Sequence, residues 1–496
     1  MGIKNISKLK TQVIVVGAGA AGINAAIASA RNGAETILIE RDGFLGGISA
    51  SLGWIGFHDQ DYRQIVKGIP HEIVENLWSR NAASRYELDV KCSSIISVNS
   101  HHWKILAMKM ATDAGVKVML QTLFVDTITK NDRICGVIVE NKSGRQEIYS
   151  DVVIDCSGDG DVADRAGAAW EKGRTKDGLV QAPTLVFKLG GLSREEFIKG
   201  CKDPSLNYRE WVEPYPEIRE KLYKRLDNMD VIICGGYAPL MEKARNAGEI
   251  DLPQTRIVGV KLHKPDEFLV VMTRVLGLDP TNVESMSLAY EKLYAQIPQL
   301  LAFFPKYVPG FEKAFLLEIA PAMGVRESRR ITGDYTLSTD DVINGNEHND
   351  VIALGGYHID IHRPSGTWVD SMNVQTYDIP YRSLVVKNKE GLLVAGKCIS
   401  ASHEAIASAR VIPICMAEGQ AAGTAAAISI KEKKELREIN INNLKNTLID
   451  QKAELRETLD PIDQNLIDQI GQLPKEKEET DGERDKASSG VQAWIN

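Results

Sequence analysis

The chain has 496 residues, enough for two or three domains with large cores. Hydrophobic residues make up 43% and charged residues 25%, an ordinary globular balance, and the net charge of −8 excludes a broadly basic nucleic-acid surface. The seven cysteines are scattered without a CxxC pair, which argues against a zinc site, an iron–sulfur cluster and a disulfide framework. With no apolar signal segment in the first ten residues, this predicts a reducing, cytoplasmic location.

Residues 12–16 are a short apolar run that reads as a buried strand. The motif G-A-G-A-A-G follows, with Gly17, Gly19 and Gly22 separated by Ala18, Ala20 and Ala21. An alanine-rich helical stretch covers 23–31, and a second apolar run, 36–39, ends on Glu40 with Arg41 beside it. Strand, Gly-rich turn, helix, strand and acid in that order form a dinucleotide-binding unit. Gly17 permits the turn, Gly19 lets a pyrophosphate approach the backbone, and Gly22 lets the helix pack on the strand. Glu40 is placed to accept hydrogen bonds from a ribose. Glycines interrupt the apolar stretch at 13–30, so no membrane span is expected.

A Gly-rich loop at 43–70 carries Gly46 and Gly47, then Trp54, Phe57 and His58, which can lie over a cofactor or simply pack at the surface. An amphipathic helix is predicted at 71–85, another at 101–114, and a strand at 116–120. Runs at 123–128 (containing Val125), 133–140 and 145–150 suggest an antiparallel meander. A buried strand at 152–155 leads into C-S-G-D-G-D, with Ser157 and Gly158 in the turn. From about 171 the pattern becomes mixed, with strands near 183–190, 256–261 and 267–272 and helices near 208–227 and 281–300. The apolar run G-L-L-V-A-G ends at Gly396, and a helix is expected from Pro413, just after Ile412, to about 432. The predicted class is therefore α/β. A discontinuous Rossmann-type domain takes 1–170 and 376–430, and an inserted α+β substrate domain takes 171–375. A helical appendage follows at 431–472, and the charged segment 473–496 is expected to be disordered.

The opening motif alone does not separate FAD from NAD. The Gly46-Gly47 turn, the V-V-I-D-C-S-G-D-G-D segment and the late strand running into Gly396 favour FAD. Together with E-R-D at 40–42, this set resembles the FAD-dependent oxidoreductases of the glutathione-reductase superfamily, and more distantly fumarate reductase and succinate dehydrogenase flavoproteins. The segments G-V-R-E-S-R-R, Y-D-I-P-Y-R and S-H-E-A-I-A-S-A-R-V-I-P are similar as well. Gly396-Lys397 stands where the electron-transfer dehydrogenases carry G-D, and the CxxxxC redox pair is missing, so a disulfide-reductase mode is not expected. The resemblance implies that the helix after the late strand aims its positive end at the flavin pyrimidine, stabilising the anionic reduced ring.

Candidate chemistry lies in four places. His403 and Arg410 are seven apart and share a face if 402–410 is helical; they can border the flavin or, with Glu404, form a surface ion pair. His358-Ile359-Asp360-Ile361-His362 alternates strictly, so in a strand its polar residues share one face, lining a cavity or facing solvent. Arg326, with Arg329 and Arg330, can clamp an anion or pair with Glu327 and Asp334. His58 can touch substrate or carry a covalent flavin link. No metal site is expected. The reading is hydride transfer between flavin N5 and a small polar or anionic substrate, with a soluble electron donor or acceptor, no nucleic acid or membrane, and an oligomer possible. A flavin monooxygenase, a non-redox nucleotide-binding protein of the thiazole-biosynthesis type and an electron-transfer flavoprotein remain alternatives.

Overall fold

A computed structural model describes residues 7–51, 53–207, 212–363 and 369–473. Its organising element is a five-stranded parallel sheet. From one edge the strands are Leu392–Val394, Val152–Asp155, Val13–Val16, Thr36–Ile39 and Lys117–Met119. The register sets Val13 opposite Thr36 on one side and Val152 on the other. Every residue of the three central strands is buried, as expected of parallel strands covered on both faces.

The first helix, Ala20–Arg31, packs along the long late helix, Ile412–Glu432. A Cβ placed on Gly419 would sit 2.1 Å from the Ala21 carbonyl oxygen, and one on Gly423 the same distance from Ala25. The two helices therefore touch backbone to backbone. Among the described residues no single helix is long and apolar enough to cross a membrane.

The meander forms from Leu123–Lys130, Arg133–Asn141 and Gly144–Tyr149. Its far edge is a strand absent from the sequence reading, Ser7–Lys10, parallel to Gly144–Tyr149 and mostly exposed. With so little apolar patterning it had no periodic signal to show. The helix expected at 71–85 is also shorter, Ile69–Trp78. Asn81 takes a left-handed φ of 52° and turns the chain into a small sheet of Trp54–Ile55, Ser93–Ile96 and Glu87–Asp89.

A second, antiparallel sheet has the order Ile232–Gly236, Ile257–Lys261, Phe268–Val270, Phe187–Gly190 and Phe315–Ile319. The 25-residue helix Val283–Tyr307 contributes Leu293, Leu300 and Phe304 to the same core. This core draws its buried residues from Leu185 to Met323, whereas those from Ile331 to Val374 join the first core. The division therefore falls between Met323 and Ile331 rather than at 375. The reason is a strand pair, Val351–Gly355 with Tyr377–Pro380, that spans the expected boundary. Helices Ile441–Asp450 and Gln464–Ile470 follow, the first burying Leu444 and Leu448 in the first core. The tail expected to be disordered lies outside the described residues from 474 onward.

Candidate active site

Four Gly-bearing turns converge at the carboxyl ends of the parallel strands. Gly17 has φ of 92°, and a Cβ there would lie 2.4 Å from the Cys156 carbonyl oxygen. At Gly22 a Cβ would meet the Gly17 carbonyl oxygen at 1.8 Å, whereas at Gly19 it would meet nothing within 4 Å. Gly46 donates its N–H to the Ala18 carbonyl at 2.8 Å, and a Cβ on Gly47 would stand 3.2 Å from the Gly19 Cα. The two loops thus pack closely at the N-terminus of the first helix, with open space on the side a Gly19 Cβ would face. Ala20 and Ala21 open that helix, where the first N–H groups have no partner within it.

Glu40 is buried under this turn. Its Oε2 accepts the Ala18 N–H at 2.7 Å and its Oε1 the Asp42 N–H at 2.8 Å. Burial pushes its carboxyl up, against those two donors. Arg41 beside it is exposed. Val125 is the bulge residue of its strand, passed over between the pairs Phe124–Val139 and Asp126–Ile138.

In the 155–161 turn, Asp155 is fully buried and accepts the N–H groups of Ser157, Val162 and Ala163. Gly158 has φ of 85° and Gly396 of 92°. Lys397, after Gly396, donates to the Gly158 carbonyl and the Asp159 carboxylate at 2.5 Å each and to Ser328 Oγ at 3.1 Å. Burial alone would raise Asp159; Lys397 and Ser328 hold it below the usual carboxylate range.

Lys397 also borders a cavity of about 920 Å³ that lies between the second sheet and the segments around 358–363 and 410–412. His358, Asp360 and His362 all line it, as the alternation predicts, while Ile359 is fully buried. His362 Nε2 lies 3.2 Å from Asp360 Oδ2. Arg410 Nη2 donates to the Asp360 carbonyl at 2.9 Å and reaches its carboxylate at 3.3 Å. Burial would raise Asp360, but His362, Arg410 and His358 together hold it well below the usual range. Burial and nearby Lys91 push His358 down to about 3; burial and Arg326 push His362 down to about 4. Both imidazoles are neutral at physiological pH. His358 Nδ1 has no hydrogen-bond partner among the described residues.

Of the three arginines at 326–330, only Arg326 lines the cavity. It donates to the Ala182 carbonyl and Thr184 Oγ1 at 2.5 and 2.8 Å. Arg330 pairs with buried Glu327, and Arg329 with Asp161.

His403 departs from the expected catalytic position. It is the first residue of the helix His403–Ala409, and its Nδ1 meets Glu327 Oε1 at 2.8 Å instead of lining the cavity. Glu327 is fully buried, and His403 and Arg330 together compensate its charge. Arg410 caps the C-terminus of that helix, and the chain then bends by 92° into the Ile412–Glu432 helix, whose opening residues Val411 and Ile412 border the cavity. Buried Trp54 packs on Phe57, and Phe57 and His58 both meet the Tyr86 ring, while Gly53 and Ile55 face the cavity in place of Trp54. His58 pairs with Ser94 Oγ at 2.9 Å. Sequence reasoning missed Lys91, Lys397 and the sheet residues that line the cavity; the Gly396-Lys397 departure was the one signal available.

A family model described as FAD dependent oxidoreductase matches residues 12–448. The chain belongs to the FAD dependent oxidoreductase family. FAD is its cofactor and redox chemistry its class of reaction. This FAD dependent oxidoreductase is 31% identical over 137 residues to thiamine thiazole synthase of Aeropyrum pernix, covering 26% of this chain and 44% of that one. It is 28% identical over 158 residues to digeranylgeranylglycerophospholipid reductase 1 of Methanopyrus kandleri, covering 30% and 40%. The matches thus span under half the length of either relative. Among solved structures, p-nitrophenol 4-monooxygenase of Pseudomonas putida aligns with a TM-score of 0.46 at 11% identity, covering 98% of this chain and 94% of that one.

Proposed function

We propose that this FAD dependent oxidoreductase oxidises or reduces a small organic molecule bound in the 920 Å³ cavity, after the pattern of the glutathione-reductase superfamily and, more distantly, of fumarate reductase and succinate dehydrogenase flavoproteins. One observation carries the reading: a His–Asp–His row and four arginines, Arg326 and Arg410 among them, face the same cavity that the N-terminus of the Ile412–Glu432 helix borders. Bound FAD supplies a hydride acceptor or donor at flavin N5.

The residues present fit that cofactor, because the space a Gly19 Cβ would enter is bare of protein atoms and lies at a helix N-terminus. In this reading the Gly17, Gly19 and Gly22 turn, with Ala18, Ala20 and Ala21, holds the pyrophosphate. Gly46 and Gly47 cover it, and Glu40, with Arg41 nearby, holds the ribose. Val125 borders the adenine, while Ser157, Gly158, Gly396 and Ile412 approach the remainder. The positive end of the late helix favours negative charge on the ring beside it.

Oxidation of a substrate removes a hydride and one proton, and the proton needs a base. Asp360 is ionised and accepts the Nε2–H of neutral His362, which leaves Nδ1 of that ring with its lone pair. His362 thus takes the proton in oxidation and returns it in reduction, with Asp360 stabilising the imidazolium. Arg410, hydrogen-bonded to Asp360, positions the pair. His403 acts through Glu327 as a positioning residue. A soluble electron donor or acceptor in the cytoplasm closes the cycle, in keeping with seven free cysteines.

Asp360→Asn and His362→Gln should both retain FAD and slow substrate-dependent bleaching of the flavin about 10²–10⁴-fold. Unchanged bleaching in both variants would remove the dyad from the mechanism.

A further inference from the structure

The cavity has walls of two different kinds. One is the second sheet, whose register sets Ile233, Val260 and Leu269 in a cross-strand row. Gly235, Val258 and Val271 form the next row, closed by a Val271 N–H to Val258 carbonyl bond of 2.9 Å. All six line the cavity, and their sequence neighbours Ile232, Ile257, Phe268 and Val270 point the other way into the second core. This wall offers a ligand apolar surface, since its backbone groups are spent on the ladder.

The opposite wall is cationic. Lys397, Arg363 and Arg410 each already meet a carboxylate, at 2.5, 2.7 and 3.3 Å. Arg326 and Lys91 do not: Arg326 bonds a carbonyl and a hydroxyl, and Lys91 bonds Ser371 Oγ at 2.6 Å. Among the described residues no carboxylate stands within ion-pair distance of either, although both border the cavity. Arg326 is held by burial and by neighbouring Arg410 in surroundings that disfavour its charge. An incoming anion would relieve that cost. His358 is 3% exposed and keeps Nδ1 unpartnered among the described residues, a place for one polar atom of a ligand.

We infer that the substrate is an amphipathic carboxylate whose aliphatic or aromatic body lies on the Ile233–Val260–Leu269 face and whose carboxylate is held by Arg326. This rests on the proposed role of the cavity as the substrate site. The anion is a carboxylate because one guanidinium fork matches both its two oxygens and its single charge, whereas a phosphate dianion needs a second cation beside Arg326 and Lys91 stands at the other end of the row. Lys91 and His358, at the other end of the His–Asp–His row, receive a second polar group, so the class is narrowed to acids that carry an oxygen substituent away from the carboxylate.

The test is binding of 8-hydroxyoctanoate and 4-hydroxyphenylacetate to the FAD-loaded enzyme, each against its primary amide, followed by calorimetry and by perturbation of the flavin spectrum. Both carboxylates should bind at least about tenfold more tightly than their amides. Arg326→Gln should erase that preference while FAD stays bound, and Arg326→Lys should keep part of it. Val260→Glu should weaken the carboxylates more than the amides. Equal binding of acid and amide by the wild-type enzyme, or no binding of either acid, overturns the inference. A preference retained in Arg326→Gln also overturns it. Carboxylate-selective binding combined with undiminished bleaching in Asp360→Asn and His362→Gln would support this inference and defeat the proposed proton transfer.

Discussion

Gly19 and Gly22 share one motif but answer to different demands. A side chain at Gly22 strikes the Gly17 carbonyl 1.8 Å away, so its cost falls on the fold. A side chain at Gly19 meets no protein atom within 4 Å, so its cost falls on whatever occupies that space. Gly19→Val should melt close to the wild type once both are stripped of flavin, and yet fail to retain FAD on purification. Gly22→Val should melt lower in the stripped state as well. A yellow Gly19→Val protein would contradict the phosphate role. His403 shows the other side of residue-scale reading. Its spacing from Arg410 was visible in the sequence, but its partner Glu327 lies 76 positions away in the chain. Only packing decided that His403 compensates a buried carboxylate while Arg410 reaches the cavity.

Among the elements, the contact between the first and the late helix carries the most weight. It joins residues some 400 positions apart and places the late helix against the parallel sheet. Gly419 and Gly423 allow it, each facing a backbone carbonyl at 2.1 Å from where its Cβ would be. Gly423→Ala should therefore lower unfolding free energy by about 1–3 kcal/mol, in place of the small gain expected for Gly to Ala in an exposed helix. Urea unfolding of the FAD-loaded and stripped proteins checks it; a stabilised variant would mean the helices separate easily. The βαβ unit was legible because fully buried parallel strands are continuous apolar runs with glycine at their ends. The 358–362 strand was legible as alternation, but which way its polar face points was not. The Ser7–Lys10 strand was illegible, because an exposed edge strand needs no apolar pattern to pair.

Across the whole molecule, two cores meet at one cavity, and four histidines resist protonation, His58 and His358 buried and His263 and His362 half-buried. His58, His263, His358 and His362 are all pushed down, foremost by burial, to about 3, 4, 3 and 4. Each binds a proton in the unfolded chain near pH 6.5 that it refuses in the folded chain until far lower pH. Stability is therefore fully present above about pH 6.5 and falls as pH drops toward 4, since the unfolded state then binds more protons. The melting temperature should decline through that window, and His58→Phe, away from the cavity, should make the decline shallower. A melting temperature level between pH 6.5 and 4 would show that these rings titrate normally.

The α/β class, the FAD turn and the return of the chain to the first sheet near residue 392 could be read from the sequence alone. Their signals are local, being apolar runs, glycines at strand ends and an acid at a set distance. The tertiary structure alone decided that the second core closes at Met323, that Arg326 faces the cavity while Arg329 and Arg330 are paired elsewhere, and that a valine-lined sheet forms the opposite wall. Those outcomes depend on which distant charges and surfaces compete for each side chain, a balance of desolvation and pairing that no stretch of sequence contains by itself.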